Sequence, residues 1–281
     1  MKRIVIGMLA TAMTTAVMAQ TDPKVWPWDF PQDIEIDAKA GQQCLTNQDH
    51  YFDYVERGEG FDRKGMIWYN TTIIEPGKEK SFVDAYGNKK EVPNTLIIPL
   101  GKSEKAKKGD ILLTCGNRNH DMARAIVVDD STPTEPVVCF LDNDWNWPNQ
   151  FDSPKVEEVQ KGEKLKAGTF NVLKDGKFES GAQVAFKVDG RMRYGTIVQV
   201  SGDKVLIAAF ANQLECTTKD NCKLLPFKPK LKEGDKVSVI DTRTYEPGYT
   251  VVKLDLEHGH LWVQKEGSEK TQHCNLFTVM K

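Results

Sequence analysis

The residues best suited to chemistry are two tryptophan pairs, Trp26-Pro27-Trp28-Asp29-Phe30-Pro31 and Asp144-Trp145-Asn146-Trp147-Pro148. In extended chain, residues two apart share a face, so each pair offers two rings to one side. Indole faces stack on the apolar faces of pyranoses, and Asp142, Asn143, Asp144, Asn146 and Asn149 supply partners for sugar hydroxyls. The commoner use of such rings is packing, as plugs for sheet ends and as pins for the N-terminal arm.

Asp142, Asp144 and Asn146, followed by Asp152, also place oxygen ligands at alternating positions, as calcium loops do. The sixth position lacks the required glycine and the twelfth, Ser153, is not a glutamate, so a solvated turn is expected and no metal. His258-Gly259-His260 straddles an expected hairpin without a third ligand nearby in sequence. A Cys/His hydrolase built from Cys115 with His120, or from Cys274, would need an activated thiolate that a strand-rich chain does not advertise. With no Gly-x-Ser-x-Gly elbow, His-Glu-x-x-His helix or phosphate-binding glycine loop, we expect no catalytic residues and no cofactor.

The six cysteines are even in number, and Cys216 and Cys222 close a small loop, which makes them the expected disulfide. Cys44, Cys115 and Cys139 lie in apolar, strand-like settings that suit buried thiols, while Cys274 stands near the position equivalent to Cys222. Six cysteines allow about 15 connectivities, and spacing does not choose among them.

Lys2 and Arg3 precede an apolar run from Ile4 to Ala19, and Val17-Met18-Ala19 forms a small-x-small cleavage pattern, so residues 1–19 read as an export signal. Gln20 would then begin a periplasmic or secreted chain with no lipid-bearing cysteine and no later apolar run long enough to span a bilayer. The full chain of 281 residues carries 38 basic and 40 acidic side chains, and losing Lys2 and Arg3 leaves 36 against 40, a charge of -4. That balance supplies no field for counterion release, so nucleic acid is not an expected partner. A mean hydropathy of -0.48 excludes a multi-span membrane protein.

The elements that must position these residues repeat a phrase. Ala40-Gly41-Gln42-Gln43-Cys44, Lys108-Gly109-Asp110-Ile111-Leu112, Ser180-Gly181-Ala182-Gln183-Val184 and Glu233-Gly234-Asp235-Lys236-Val237 share a glycine followed three positions later by an apolar residue. Glycine permits a positive-φ turn into a first strand, and the later position begins the inward-facing set. Period-two, β-branched segments follow, such as Tyr194 to Val200, Val205 to Phe210, Tyr249 to Leu254 and Leu261 to Gln264. A 3.6-residue apolar period is missing from the mature chain, so the protein is expected to be all-β.

The third unit, from Gly181-Ala182-Gln183-Val184-Ala185 through Tyr194-Gly195-Thr196-Ile197 and Ile207 to Asn212, ending at Leu224-Leu225-Pro226, resembles the Tudor or agenet branch of SH3-like barrels. The resemblance implies tandem five-stranded barrels. Units are then a divergent barrel-like 39–107 behind an arm at 20–38, an SH3-like 108–178 with long loops, a Tudor-like 179–230 and an SH3-like 231–281. The stretch from Gln160 to Gly176 reads as a flexible boundary or solvated hairpin. Barrels of this type read methylated side chains with an aromatic cage, which puts forward Tyr194 and Phe210, Tyr245, Tyr249 and Trp262, and Trp145 and Trp147. No unit shows a full cage by position, and Met122 and Ala123 stand where the second unit should bring an aromatic.

The expected function is a non-catalytic binding or scaffolding protein of the cell envelope, recognising a glycan or protein through loops and inter-barrel grooves. Its candidate ligand-binding residues are Asp142, Asp144, Trp145, Trp147, Tyr194, Phe210, Tyr245 and Trp262. An accessory cell-wall or glycan-processing enzyme and a purely structural envelope protein are the alternatives.

Overall fold

A computed structural model describes residues 28–47, 67–116, 121–142, 161–210, 213–241 and 243–281. The described chain is all-β, built of small antiparallel sheets. None of its helices is long and apolar enough to cross a membrane.

The first sheet contains β1 (Gln43–Thr46), β2 (Tyr69–Glu75), β3 (Lys80–Ala85), β4 (Asn88–Pro93) and β5 (Ile97–Pro99). The second contains β6 (Ile111–Cys115), β7 (Met122–Asp129), β8 (Val137–Phe140), β9 (Glu163–Lys164) and β10 (Asn171–Val172). In the third are β11 (Gln183–Val188), β12 (Arg191–Ser201), β13 (Lys204–Ala208), β14 (Leu214–Thr218) and β15 (Cys222–Leu224). The fourth has β16 (Lys236–Asp241), β17 (Thr244–Asp255), β18 (His260–Lys265), β19 (Thr271–Asn275) and β20 (Val279–Met280). Numbered within each set, the strand order is 4-3-2-1-5 every time. An Arg193 to Thr244 bridge between β12 and β17 joins the third and fourth sets into one ten-stranded sheet. The stretch read as a flexible boundary or solvated hairpin instead supplies β9 and β10, the two edges of the second sheet, because Phe170 and Leu165 between them are drawn into its core.

The repeated phrase is a turn. Gly41, Gly109, Gly181 and Gly234 have φ of 79, 84, 95 and 87°, where a side chain costs energy and glycine does not. Each glycine N–H donates to a second-strand carbonyl at 2.8 Å, those of Ile73, Val127, Ile197 and Val251. The N–H of that same residue donates back to the residue after the glycine, at 2.9 Å each time. Immediately beyond, the second strand carries an extra residue against the third: Ile74, Val128, Val198 and Val252. A bulge there bends the strand and increases its twist. In the first, second and fourth units the residue after the glycine also caps the turn, as Gln42, Asp110 and Asp235 accept from the N–H groups of Lys39, Lys107 and Lys232. Ala182 has no such side chain and is buried instead.

Three positions after the glycine, Cys44, Leu112, Val184 and Val237 are buried, as the sequence pattern predicts. The second sheet is apolar on both faces. Leu112 enters that sheet's own core, whereas its neighbours Ile111 and Leu113 join a core shared with the first and third units. The fourth unit keeps a separate core, and Ala185, Leu225, Ile240 and Tyr245 form a small one at its seam with the third.

Cys216 and Cys222 are free thiols and not the expected disulfide, as are the other four cysteines. Although six residues apart, they lie on β14 and β15, opposite edges of the 4-3-2-1-5 order. The Cys216 thiol donates to the Asp29 carbonyl at 3.1 Å.

Replacing Gly234 by alanine introduces positive-φ strain into open space and is expected to cost about 1 kcal/mol. Gly181→Ala carries the same strain and also places Cβ 3.1 Å from both Leu173 methyls and 3.2 Å from Leu113 Cβ. Urea unfolding should therefore rank Gly181→Ala as the more destabilising; equal midpoints would refute the packing part of this account.

Candidate functional site

A groove of about 730 Å3 lies between the first and second units. One wall is the outer part of β2, with Tyr69, Asn70, Thr71 and Thr72, together with Asp84 and Tyr86 at the β3–β4 hairpin. The other is made by Thr114 and Cys115 at the end of β6 and by Lys164, Lys166 and Thr169 around β9. Several of its hydroxyls are already oriented. Thr71 donates to the Asp84 carbonyl at 2.5 Å, Gln43 donates to the Thr72 hydroxyl at 2.8 Å, and Thr114 donates to the Thr169 carbonyl at 2.8 Å. Desolvation holds the Cys115 thiol up at about 11, so it is protonated at neutral pH and is a lining group, not a nucleophile.

Asp142 is engaged within the protein. It receives a bidentate ion pair from Arg124 of β7, Nε to Oδ2 and Nη2 to Oδ1 at 2.7 Å each, and the Arg124 N–H donates to it at 2.8 Å. The same buried guanidinium donates to the Gln183 side-chain Oε1 of the third unit and lies 4.0 Å from the ring centroid of Phe277 in the fourth. Three units therefore converge on one cation. Asp144, Trp145 and Trp147, the other candidates of that stretch, lie outside the described residues.

Tyr194, Phe210 and Tyr245 do come together, at the seam of the third and fourth units. Tyr194 and Tyr245 meet edge to face at 6.3 Å, and burial raises both phenols, Tyr245 to about 12. The Tyr245 hydroxyl donates to the Phe277 carbonyl at 3.5 Å. Arg243 stands 5.1 Å from the Phe210 ring, so the cation beside these aromatics comes from the protein itself. Tyr249 is buried in the core of the fourth unit.

Trp262 lies in register between Lys253 and His273 across three strands. The Lys253 ammonium is 4.4 Å from its ring, and His273 stacks on it at 4.8 Å. His273 stacks in turn on His260 and is joined to it by a 2.8 Å Nε2–Nδ1 hydrogen bond. Burial lowers both histidines to about 4; neighbouring His273 adds to this for His260, Lys253 does so for His273, and Asp255 opposes it at His260. His258 binds the Asp255 carboxylate through Nδ1 at 2.9 Å. No group of three His, Cys, Asp or Glu side chains suited to a metal ion occurs among the described residues.

Sequence reasoning missed Tyr69, Asn70, Tyr86 and Lys166. One signal was present: in Ala85-Tyr86-Gly87-Asn88, tyrosine occupies a hairpin position where asparagine or aspartate is favoured.

Arg124→Ala leaves Asp142, Gln183 and Phe277 without their shared partner and is expected to cost about 3 kcal/mol of stability, read by chemical denaturation. No change in the midpoint would remove Arg124 from the seam account. The histidine pair contributes stability that is complete above about pH 6.5 and is lost as pH falls toward about 4, because the unfolded chain then binds the protons that the folded pair resists. A His260→Gln/His273→Gln chain should lose less of its thermal midpoint than the parent between those pH values, and parallel curves would contradict this. Compared with known proteins, the chain matches no family model and no curated protein.

Proposed function

We propose that this protein is an exported binding or scaffolding protein of the cell envelope, assembled from tandem SH3-like units and recognising its ligand in the groove between the first two. SH3-like barrels have five strands, and the four sets of five in one order support that reading. The export pattern at residues 1–19 supports the location.

The groove carries the functional reading. It combines two tyrosines, two amides, hydroxyls, a carboxylate and lysines on two separate units, a mixture suited to binding. Elsewhere the described candidates already serve the protein's own packing: Asp142, paired with Arg124, and Tyr245 do so where units meet, and Trp262 does so inside the fourth unit. An accessory enzyme draws no support from the cysteines, since burial raises every thiol and lifts those of Cys44, Cys139 and Cys274 to about 12.

Asn70 is exposed on the groove wall, so Asn70→Trp fills the space while leaving the core untouched. Its retention on isolated cell envelopes, measured by co-sedimentation, should fall about tenfold, equivalent to about 1.4 kcal/mol, with an unchanged melting curve. Full retention would show that the groove is not the binding surface.

A further inference from the structure

We propose that the groove between the first and second units binds a hydroxyl-rich polysaccharide, with one sugar ring stacked on Tyr86. The inference rests on the groove being the binding surface and adds the chemistry of what fills it.

Tyr86 is 77% exposed, the most open large hydrophobic side chain described, and it stands at the groove's rim. It occupies the first position of a two-residue hairpin between Ala85 and Asn88, with φ of 55° at Tyr86 and 83° at Gly87. The third unit builds the same kind of turn between Val188 and Arg191 from Asp189 and Gly190, with φ of 51 and 76°. Asp-Gly is what a turn with two left-handed residues favours, because a short polar side chain tolerates that backbone. An aromatic residue there bears strain and exposes apolar surface, two costs that the aspartate of the matching turn keeps low. A ring fixed at a hairpin tip and open to solvent is suited to stacking.

What lies below the ring selects among partners. Among the described residues, Leu165 is the one aliphatic side chain lining the groove, and it is buried, so these walls offer no socket for an apolar peptide anchor. The remaining lining offers tyrosine, threonine, asparagine, aspartate and lysine groups, which donate to and accept from hydroxyls in many directions. Lys164 is paired with Glu135 at 2.7 Å, and Asp84 stands on the opposite wall, so the groove lacks the single-sign field that a nucleic acid needs. Alternating apolar faces and hydroxyl edges are the surface of a pyranose chain.

The full chain would be tested against isolated cell-wall polysaccharide, native or periodate-oxidised to cleave vicinal diols, and by calorimetry against N-acetylglucosamine tetramers. Native polysaccharide should retain the protein, and oxidation should lower retention about tenfold. Tyr86→Asn should weaken binding to the native polymer by about tenfold while raising the thermal midpoint by about 2 °C through relief of the turn. Tyr86→Phe should keep most of the binding. Heat on titration with the tetramers, lost in Tyr86→Asn, would place the stacking on an amino sugar. The polysaccharide inference is overturned if oxidised and native polymers retain the protein equally and the tetramers, whose 4-linked units have no vicinal diol within the chain, give no heat, or if Tyr86→Asn binds as the parent does. Should Asn70→Trp still release the protein from whole envelopes in that case, the groove remains the binding surface for a different class of ligand; if it too has no effect, both readings fall together.

Discussion

Everything in this molecule hangs on a paired hydrogen bond at a left-handed glycine. The glycine N–H reaches the second strand, the second strand answers to the following residue, and the extra residue just beyond bends that strand. Because the turn and the bulge are clamped together, the place where the strand bends is set relative to where the first strand starts. Three successive hairpin neighbours and a return to the first strand then yield the same strand order in each unit, despite unrelated side chains.

Units this small bury too little surface to stand comfortably alone, and they respond by sharing it. The second sheet is apolar on both faces, one for itself and one for the common core with the first and third units. Polar groups at the seams are matched across units: the Gln199 amide donates to the Ile97 carbonyl at 2.6 Å, Asn275 to Leu141, and Arg124 reaches into both the third and fourth units. Trp28 of the arm donates to the Leu214 carbonyl at 2.9 Å, so the arm is held against the edge of the third sheet. Such bonds fix geometry more than they add stability, since an unmatched buried group would be costly. Fixed units leave fixed grooves between them.

That division explains why many aromatic candidates do not present an open binding face. A ring at a seam is valuable for packing, as Tyr194 and Tyr245 are between the third and fourth units, while Trp262 is engaged with neighbours inside the fourth. Tyr86 differs because it stands 77% exposed at a hairpin tip, in a backbone region that disfavours its type. Local strain together with exposure is the mark by which a residue kept for contact stands apart from one kept for packing.

Much of the fold was legible in the residues themselves. The glycine phrase, the buried position three residues on and the alternating strands follow from local rules, because turn geometry and side-chain alternation are properties of a few consecutive residues. The bulges were also written there, as adjacent β-branched pairs such as Val127-Val128 and Val251-Val252, but such a pair reads as uninterrupted strand until its partner strand is known. Where the chain turned out differently, the deciding contact was distant in sequence. Cys216 and Cys222 are near neighbours along the chain yet belong to opposite sheet edges, and Asp142 was drawn to an arginine 18 residues away that also serves two further units. The sequence by itself thus determined the all-β character and the repeating turn, since both are local. Which polar side chains face a groove and which disappear into a seam was decided only when the sheets docked, because that depends on surfaces that no single segment contains.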